Sequence, residues 1–81
     1  MSERKLLKKV IRVESYTTSN PEANRYSDLW LNPSRVQELE VETDYGNGNV
    51  LSCVQMVDGK RHVLLGEPET IMRELYPDPT P

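Results

Sequence analysis

The sequence predicts a small α+β domain, an antiparallel meander of about four to five strands followed by one short C-terminal helix. Three observations carry this expectation. Apolar and β-branched residues recur at period two between Val10 and Leu65, as half-buried strands require. The turn clusters between these runs leave connections too short for parallel crossovers, which fixes antiparallel order. The only clean helical spacing that follows them is the Ile71, Met72 and Leu75 stripe behind Pro68.

The N-terminal segment has two readings. Leu6, Leu7, Val10 and Ile11 stand at helical spacing opposite Lys5, Lys8, Lys9 and Arg12, but Val10 to Thr17 is rich in β-branched residues. A strand from about residue 9 is the favoured assignment. Residues 18–28 read as a loop opened by Asn20-Pro21, since proline excludes the preceding residue from the helical region. A strand through Leu29, Trp30 and Leu31 ends at the Asn32-Pro33 turn. The next strand alternates, with Leu39, Val41 and Thr43 on one face and Glu38, Glu40 and Glu42 on the other. That acidic stripe reads as a solvated face that discourages edge-to-edge aggregation.

Asp44 to Asn49 is a turn cluster tolerant of positive φ. Val50 to Val57 and Lys60 to Leu65 form a hairpin about Asp58-Gly59, read as a two-residue type I′ turn that pairs Val57 with Lys60. In that register Val54, Val63, Met56, Arg61, Ser52 and Leu65 share one face, while Leu51, Cys53, Leu64, Gln55 and His62 share the other. The helix is expected over Pro68 to Tyr76, with proline at its first position and Glu67 and Glu69 favouring its dipole. Domain organisation follows: one domain over 1–76 with a basic arm at 1–9, and a proline-rich tail at 77–81.

Charge is distributed unevenly. Residues 1–12 carry +4 and the remaining residues −7, which leaves −3 overall. Arg4, Lys5, Lys8, Lys9 and Arg12 form the cationic group and would be the contacts of a nucleic-acid-binding regulator. The acidic body and the lack of an aromatic ribonucleoprotein motif or a helix-turn-helix pattern oppose that reading. With one cysteine, Cys53, no intramolecular disulfide forms and no cysteine metal cluster is available, which suits the cytoplasm. The N-terminus lacks the apolar core of a signal peptide, and no apolar run is long enough to span a bilayer.

The chemistry-bearing residues are sparse. His62 is the only histidine, so no histidine pair can ligate a metal. Cys53 and His62 are diagonal neighbours in the expected register, but no third group orients them, and Cys53 reads as a small buried hydrophobe. Gly46 and Gly48 do not make a phosphate cradle. No catalytic, cofactor-binding or metal residue is assigned, and a non-enzymatic protein without a cofactor is expected.

Apolar side chains exceed what one short helix covers. A sheet with two apolar faces must curl into a barrel, dimerise or dock on a partner. The expected partner is therefore another protein or a second copy of this chain in a homo-oligomer. The residues assigned to contact it are Arg25, Tyr26 and Trp30 at the loop edge, with Leu51 and Leu64 on the second sheet face. Trp30 has a competing role as core in a chain that has no phenylalanine.

Leu31-Asn32-Pro33-Ser34-Arg35-Val36-Gln37-Glu38-Leu39-Glu40, then Val54 to Val63, then Glu67-Pro68-Glu69-Thr70-Ile71, resembles the small FlbD-type bacterial flagellar proteins. The likeness spans about residues 29–75 and follows the order of a leucine-asparagine turn, a glutamate-rich strand, a glycine hairpin and an acidic-started helix. The resemblance implies the same architecture and the absence of catalysis. Separately, compact acidic proteins of this kind are common among phage-encoded regulators, and a small interaction or regulatory module of bacterial or phage type is expected.

Overall fold

A computed structural model of the chain describes residues 7–77. The basic side chains Arg4 and Lys5 and most of the proline tail therefore lie outside the described residues. Five strands and one helix form: β1 (Lys8–Ser15), β2 (Arg25–Leu31), β3 (Val36–Gly46), β4 (Asn49–Met56), β5 (Arg61–Leu65) and α1 (Pro68–Leu75). This is the expected class, a five-stranded antiparallel sheet followed by one short C-terminal helix.

The strand order is β2-β1-β5-β4-β3, so β3, β4 and β5 meander while β1 folds back against β5. Lys8 to Ser15 is strand, which settles the ambiguity for that part of the N-terminal segment. β2 starts at Arg25, earlier than the apolar run. Arg25 and Tyr26 consequently belong to a strand, and the loop is confined to Tyr16 to Asn24, with a 3-10 turn at Pro21–Ala23. Arg25-Tyr26-Ser27-Asp28 has no apolar alternation, and it becomes strand because β1 supplies the hydrogen-bonding edge.

β2 and β3 occupy opposite edges, yet only Asn32 to Arg35 separates them. In a flat sheet these edges would stand about 19 Å apart, four strand spacings. The joint is a 3-10 turn closed by the Arg35 amide donating to the Asn32 carbonyl at 2.9 Å, with the Asn32 side chain accepting from the Ser34 amide at 3.0 Å. Such a turn brings its ends within about 7 Å, so with one Cα step on each side it spans at most roughly 15 Å. The sheet must curl to satisfy its own connection. The opposite end of β3 is also drawn across: Tyr16 donates to the Glu42 carboxylate, Tyr45 donates to the Thr17 carbonyl, and Asn24 Nδ2 donates to Tyr45 Oη at 3.1 Å. Of the outcomes open to a two-faced apolar sheet, this chain curls towards a barrel.

The type I′ turn expected at the second hairpin of the meander is found at the first. Asn47 (φ 56°) and Gly48 (φ 82°) are both left-handed between the paired residues Gly46 and Asn49, which is a type I′ turn. At the second hairpin the Gly59 amide donates to the Met56 carbonyl at 2.9 Å and the Met56 amide to the Lys60 carbonyl at 2.7 Å. Three residues, Val57, Asp58 and Gly59, thus form the loop, with Gly59 at φ 93° as the bulge residue. Gln55 then pairs with Arg61, Val54 with His62, Cys53 with Val63 and Ser52 with Leu64. The register is one residue from the expected one, so every β5 side chain changes face.

Bulges also correct the expectation of strict alternation in β3. The pairing shifts between Val41 and Thr43, so Val41 stands opposite Ser52 but Thr43 opposite Leu51, on the other face. Glu38, Glu40 and Glu42 are all exposed, as a solvated stripe requires.

The principal core lies on the helix side of the sheet and comprises Val10, Leu31, Val54, Met56, Leu64, Ile71 and Leu75, with Leu29, Val36 and Leu39 against it. Ser52 is buried among them and donates to the Gly66 carbonyl at 2.6 Å, which removes the penalty of an unpaired hydroxyl. Val13, Leu51 and Cys53 are also buried but lie on the opposite face of the sheet by register.

Candidate functional site

The corrected register assembles a different outer face from the expected one. Pairing places Tyr26 opposite Val13 and Trp30 opposite Lys9 on β2 and β1, and Cys53 opposite Val63 and Leu51 opposite Leu65 on β4 and β5. The Arg12–Leu64 pair joins these halves, so one row across the sheet reads Tyr26, Val13, Val63, Cys53 and the next reads Asp28, Ile11, Leu65, Leu51. Val13, Leu51 and Cys53 are buried within this surface, whereas Tyr26 (45% exposed), Leu65 (45%) and Trp30 (56%) project from it. Ile11 and Val63 are half-buried between them. Trp30 is therefore a surface residue and not core.

The assigned contact residues divide accordingly. Tyr26 and Trp30 share this face of β2, four residues apart, and Arg25 is exposed beside them, opposite Ser15. Leu51 is on the same face but only 1% exposed, so it supports the surface from beneath. Leu64 is on the helix side with no exposure and presents nothing to a partner. Leu65, Val63 and Ile11 take its place. Their alternation was visible in the sequence, but the residue count of the Asp58-Gly59 loop decided which face they joined.

Charged groups frame the surface. Lys9 Nζ lies 3.8 Å from the Asp28 carboxylate, and Arg61 donates to Glu40 at 3.4 Å. The Arg61 guanidinium is held further towards its charged form, chiefly by the neighbouring Cys53 sulfur and then by the Glu40 and Glu42 carboxylates. These exposed pairs favour position and specificity more than stability.

The cations of the N-terminal segment do not form one stripe. Alternation sends Lys8 and Arg12 to the helix side and Lys9 to the outer face. Arg12 is engaged by Glu14 at 3.5 Å and donates Nε–H to the Ser27 hydroxyl at 3.1 Å. His62 stands opposite Val54 and Cys53 opposite Val63, so these two side chains lie on opposite faces and form no nucleophile–base pair. Burial lowers the His62 pKa, and the positive charges of Arg12 and Lys60 lower it further against the opposing effect of Asp58. Among the described residues no three histidine, cysteine or carboxylate side chains converge as a metal site, and no helix is long and apolar enough to cross a membrane.

A second surface lies on the helix side, where α1 runs beside β3. Pro68, Met72 and Tyr76 form one ridge at intervals of four, facing Val36 and Leu39 across an open groove of about 730 Å³. Met72 and Tyr76 are 46% and 43% exposed. The Tyr76 hydroxyl donates to the Pro33 carbonyl and fixes the end of the groove. Sequence reasoning missed this ridge because it assigned Met72 to the core stripe with Ile71 and Leu75.

No known protein family, curated protein or solved structure matches this chain.

Proposed function

We propose that this chain is a small, non-catalytic module that binds another protein through the outer face of its sheet, around Tyr26, Trp30 and Leu65. The observation that carries the reading is the exposure of these three side chains on one face, over a rigid base of Val13, Leu51 and Cys53. Large amphipathic side chains on a packed base lose little entropy on binding and dominate interface energetics. The charged rim of Lys9, Asp28, Arg61 and Glu40 is the polar surround such interfaces use to select partners. The order of elements in residues 29–75 resembles that of FlbD-type proteins and accords with a module without catalysis. Work in the cytoplasm accords with the single free thiol of Cys53.

The test compares the wild-type chain with a Trp30→Ser, Leu65→Ser double variant. Unfolding by heat should be little changed, because both side chains are exposed. Sedimentation across a concentration series reads self-association, and affinity for proteins retained from a host lysate reads hetero-association. The variant should lose whichever association the wild type shows. Retention of that association at full strength by the variant, or its loss on Arg4→Glu, Lys5→Glu, Lys8→Glu substitution with a steep salt dependence and bound nucleic acid, would overturn the reading.

A further inference from the structure

The groove beside α1 is separate from the outer face, and its chemistry points to a different occupant. β3 is an edge strand, so one row of its backbone amides and carbonyls is unpaired within the sheet. Natural edges are blunted by bulges, and β3 has three register shifts. Between two of them, however, Glu38, Leu39, Glu40 and Val41 pair in unbroken sequence with Gln55, Val54, Cys53 and Ser52. The regular stretch is the one that lies along α1, where Val36, Leu39, Pro68 and Met72 border the groove and Val41 the adjoining hollow. Of the seven large apolar side chains exposed among the described residues, Met72 and Tyr76 border this groove and Val41 a smaller hollow that adjoins it at Pro68 and Glu69.

The register dictates what would fit. A strand added to β3 would place alternate side chains on the two faces of the sheet. One set would point towards the helix side, against Leu39 and Met72, and must be apolar. The other would lie beside Glu38 and Glu40 on the outer face, where Glu40 already holds Arg61 and Glu38 favours a cationic neighbour. Glu67 and Glu69 at the start of α1 add to the negative rim, against the single cation Arg73. A second copy pairing through its own β3 would set Glu38 and Glu40 against their equivalents, which like-charge repulsion opposes.

We propose that the channel between α1 and the β3 edge accepts an extended peptide segment of a partner protein, with alternating cationic and apolar residues, which pairs with β3 as an additional strand. Main-chain hydrogen bonds supply affinity in this mode and the alternating side chains supply specificity. The reading stands apart from the proposed outer-face function: Met72→Glu changes only the groove, and Trp30→Ser with Leu65→Ser changes only the outer face.

The probe is an acetylated, amidated hexapeptide of alternating lysine and valine, titrated into 15N-labelled protein. The expected result is saturable binding with shifts confined to Val36–Val41 and Pro68–Tyr76. Met72→Glu, or Glu38→Lys, should weaken it about tenfold or more, a loss typical of removing an anchor or reversing a charge pair. The same peptide N-methylated at alternate residues, and a glutamate–valine peptide, should not bind. Four results would overturn the proposal: no binding at millimolar peptide, shifts centred on Trp30 and Leu65, equal affinity in the variants, or displacement of the peptide by self-association of the chain.

Discussion

Tyr45 donates its phenolic hydrogen to the Thr17 carbonyl, joining the free edge of the sheet to the loop that follows its first strand. The two residues are 28 positions apart, and the contact closes the side of the curl opposite the Asn32–Arg35 turn. The same hydroxyl accepts from Asn24 Nδ2, so one side chain fastens β3 to both ends of the Thr17–Asn24 loop.

Tyr45→Phe removes both hydrogen bonds and keeps the ring. A loss of about 1 kcal/mol is expected, the usual net worth of such bonds at a half-exposed site, measured by urea denaturation. Amide exchange in Glu42 to Gly46 should quicken as that edge opens more often. Unchanged exchange there would mean that the tyrosine does not hold the edge.

The hairpin register is testable with two neighbouring leucines. Leu64 is fully buried and Leu65 is 45% exposed. Leu64→Ala should cost about 2–5 kcal/mol, as for other core truncations, and Leu65→Ala no more than about 1 kcal/mol. A two-residue turn at Asp58-Gly59 would move Leu64 to the other face of the sheet, away from Val54, so equal losses would contradict the observed pairing.

Gly59 is a second test of that loop. At φ 93° a β-carbon meets no neighbouring atom, so the effect of Gly59→Ala is purely one of backbone conformation. The left-handed geometry should make it destabilising by about 1–2 kcal/mol, read as a shift in denaturation midpoint at constant slope.

His62 gives the stability a pH dependence of definite sign. Its pKa is lowered in the folded chain, chiefly by burial, so the unfolded chain binds the proton more readily. Stability should therefore be greatest above the unfolded value of about 6.5 and fall as the pH drops below it. The fall ends once the folded state is protonated too. His62→Asn should flatten that part of the curve, and an unaltered slope would assign it to other groups.

The strands and the helix were legible in the sequence because alternation and Pro68 report local geometry directly. The register was not. Asp58-Gly59 is compatible with a two-residue loop and with a three-residue loop that includes Val57, and face parity could not choose between them. β4 is apolar on both sides, with Val50, Val54 and Met56 against Leu51 and Cys53, and β5 offers Val63 and Leu65 against Leu64. A one-residue slip therefore leaves the hydrophobic pattern nearly as well satisfied, and the loop geometry decides. Tyr26 and Trp30, expected at a loop edge, lie instead on the outer face of β2, while Leu64, expected on that face, lies on the helix side. The α1 channel depends on how the helix lies across β3, a tertiary relation with no counterpart in local periodicity.

The Asn32–Arg35 turn divides the chain into a hairpin of β1 and β2 and a meander of β3, β4 and β5. Among the described residues only one ladder crosses that division, the seam of β1 with β5 around Arg12 and Leu64. Cooperativity between the two parts is thus concentrated in a seam whose partners are far apart along the chain, while each part zips locally. Loop-closure entropy makes such a seam the slow event of folding. If it is weakened, two partly ordered pieces would remain, tethered by four residues.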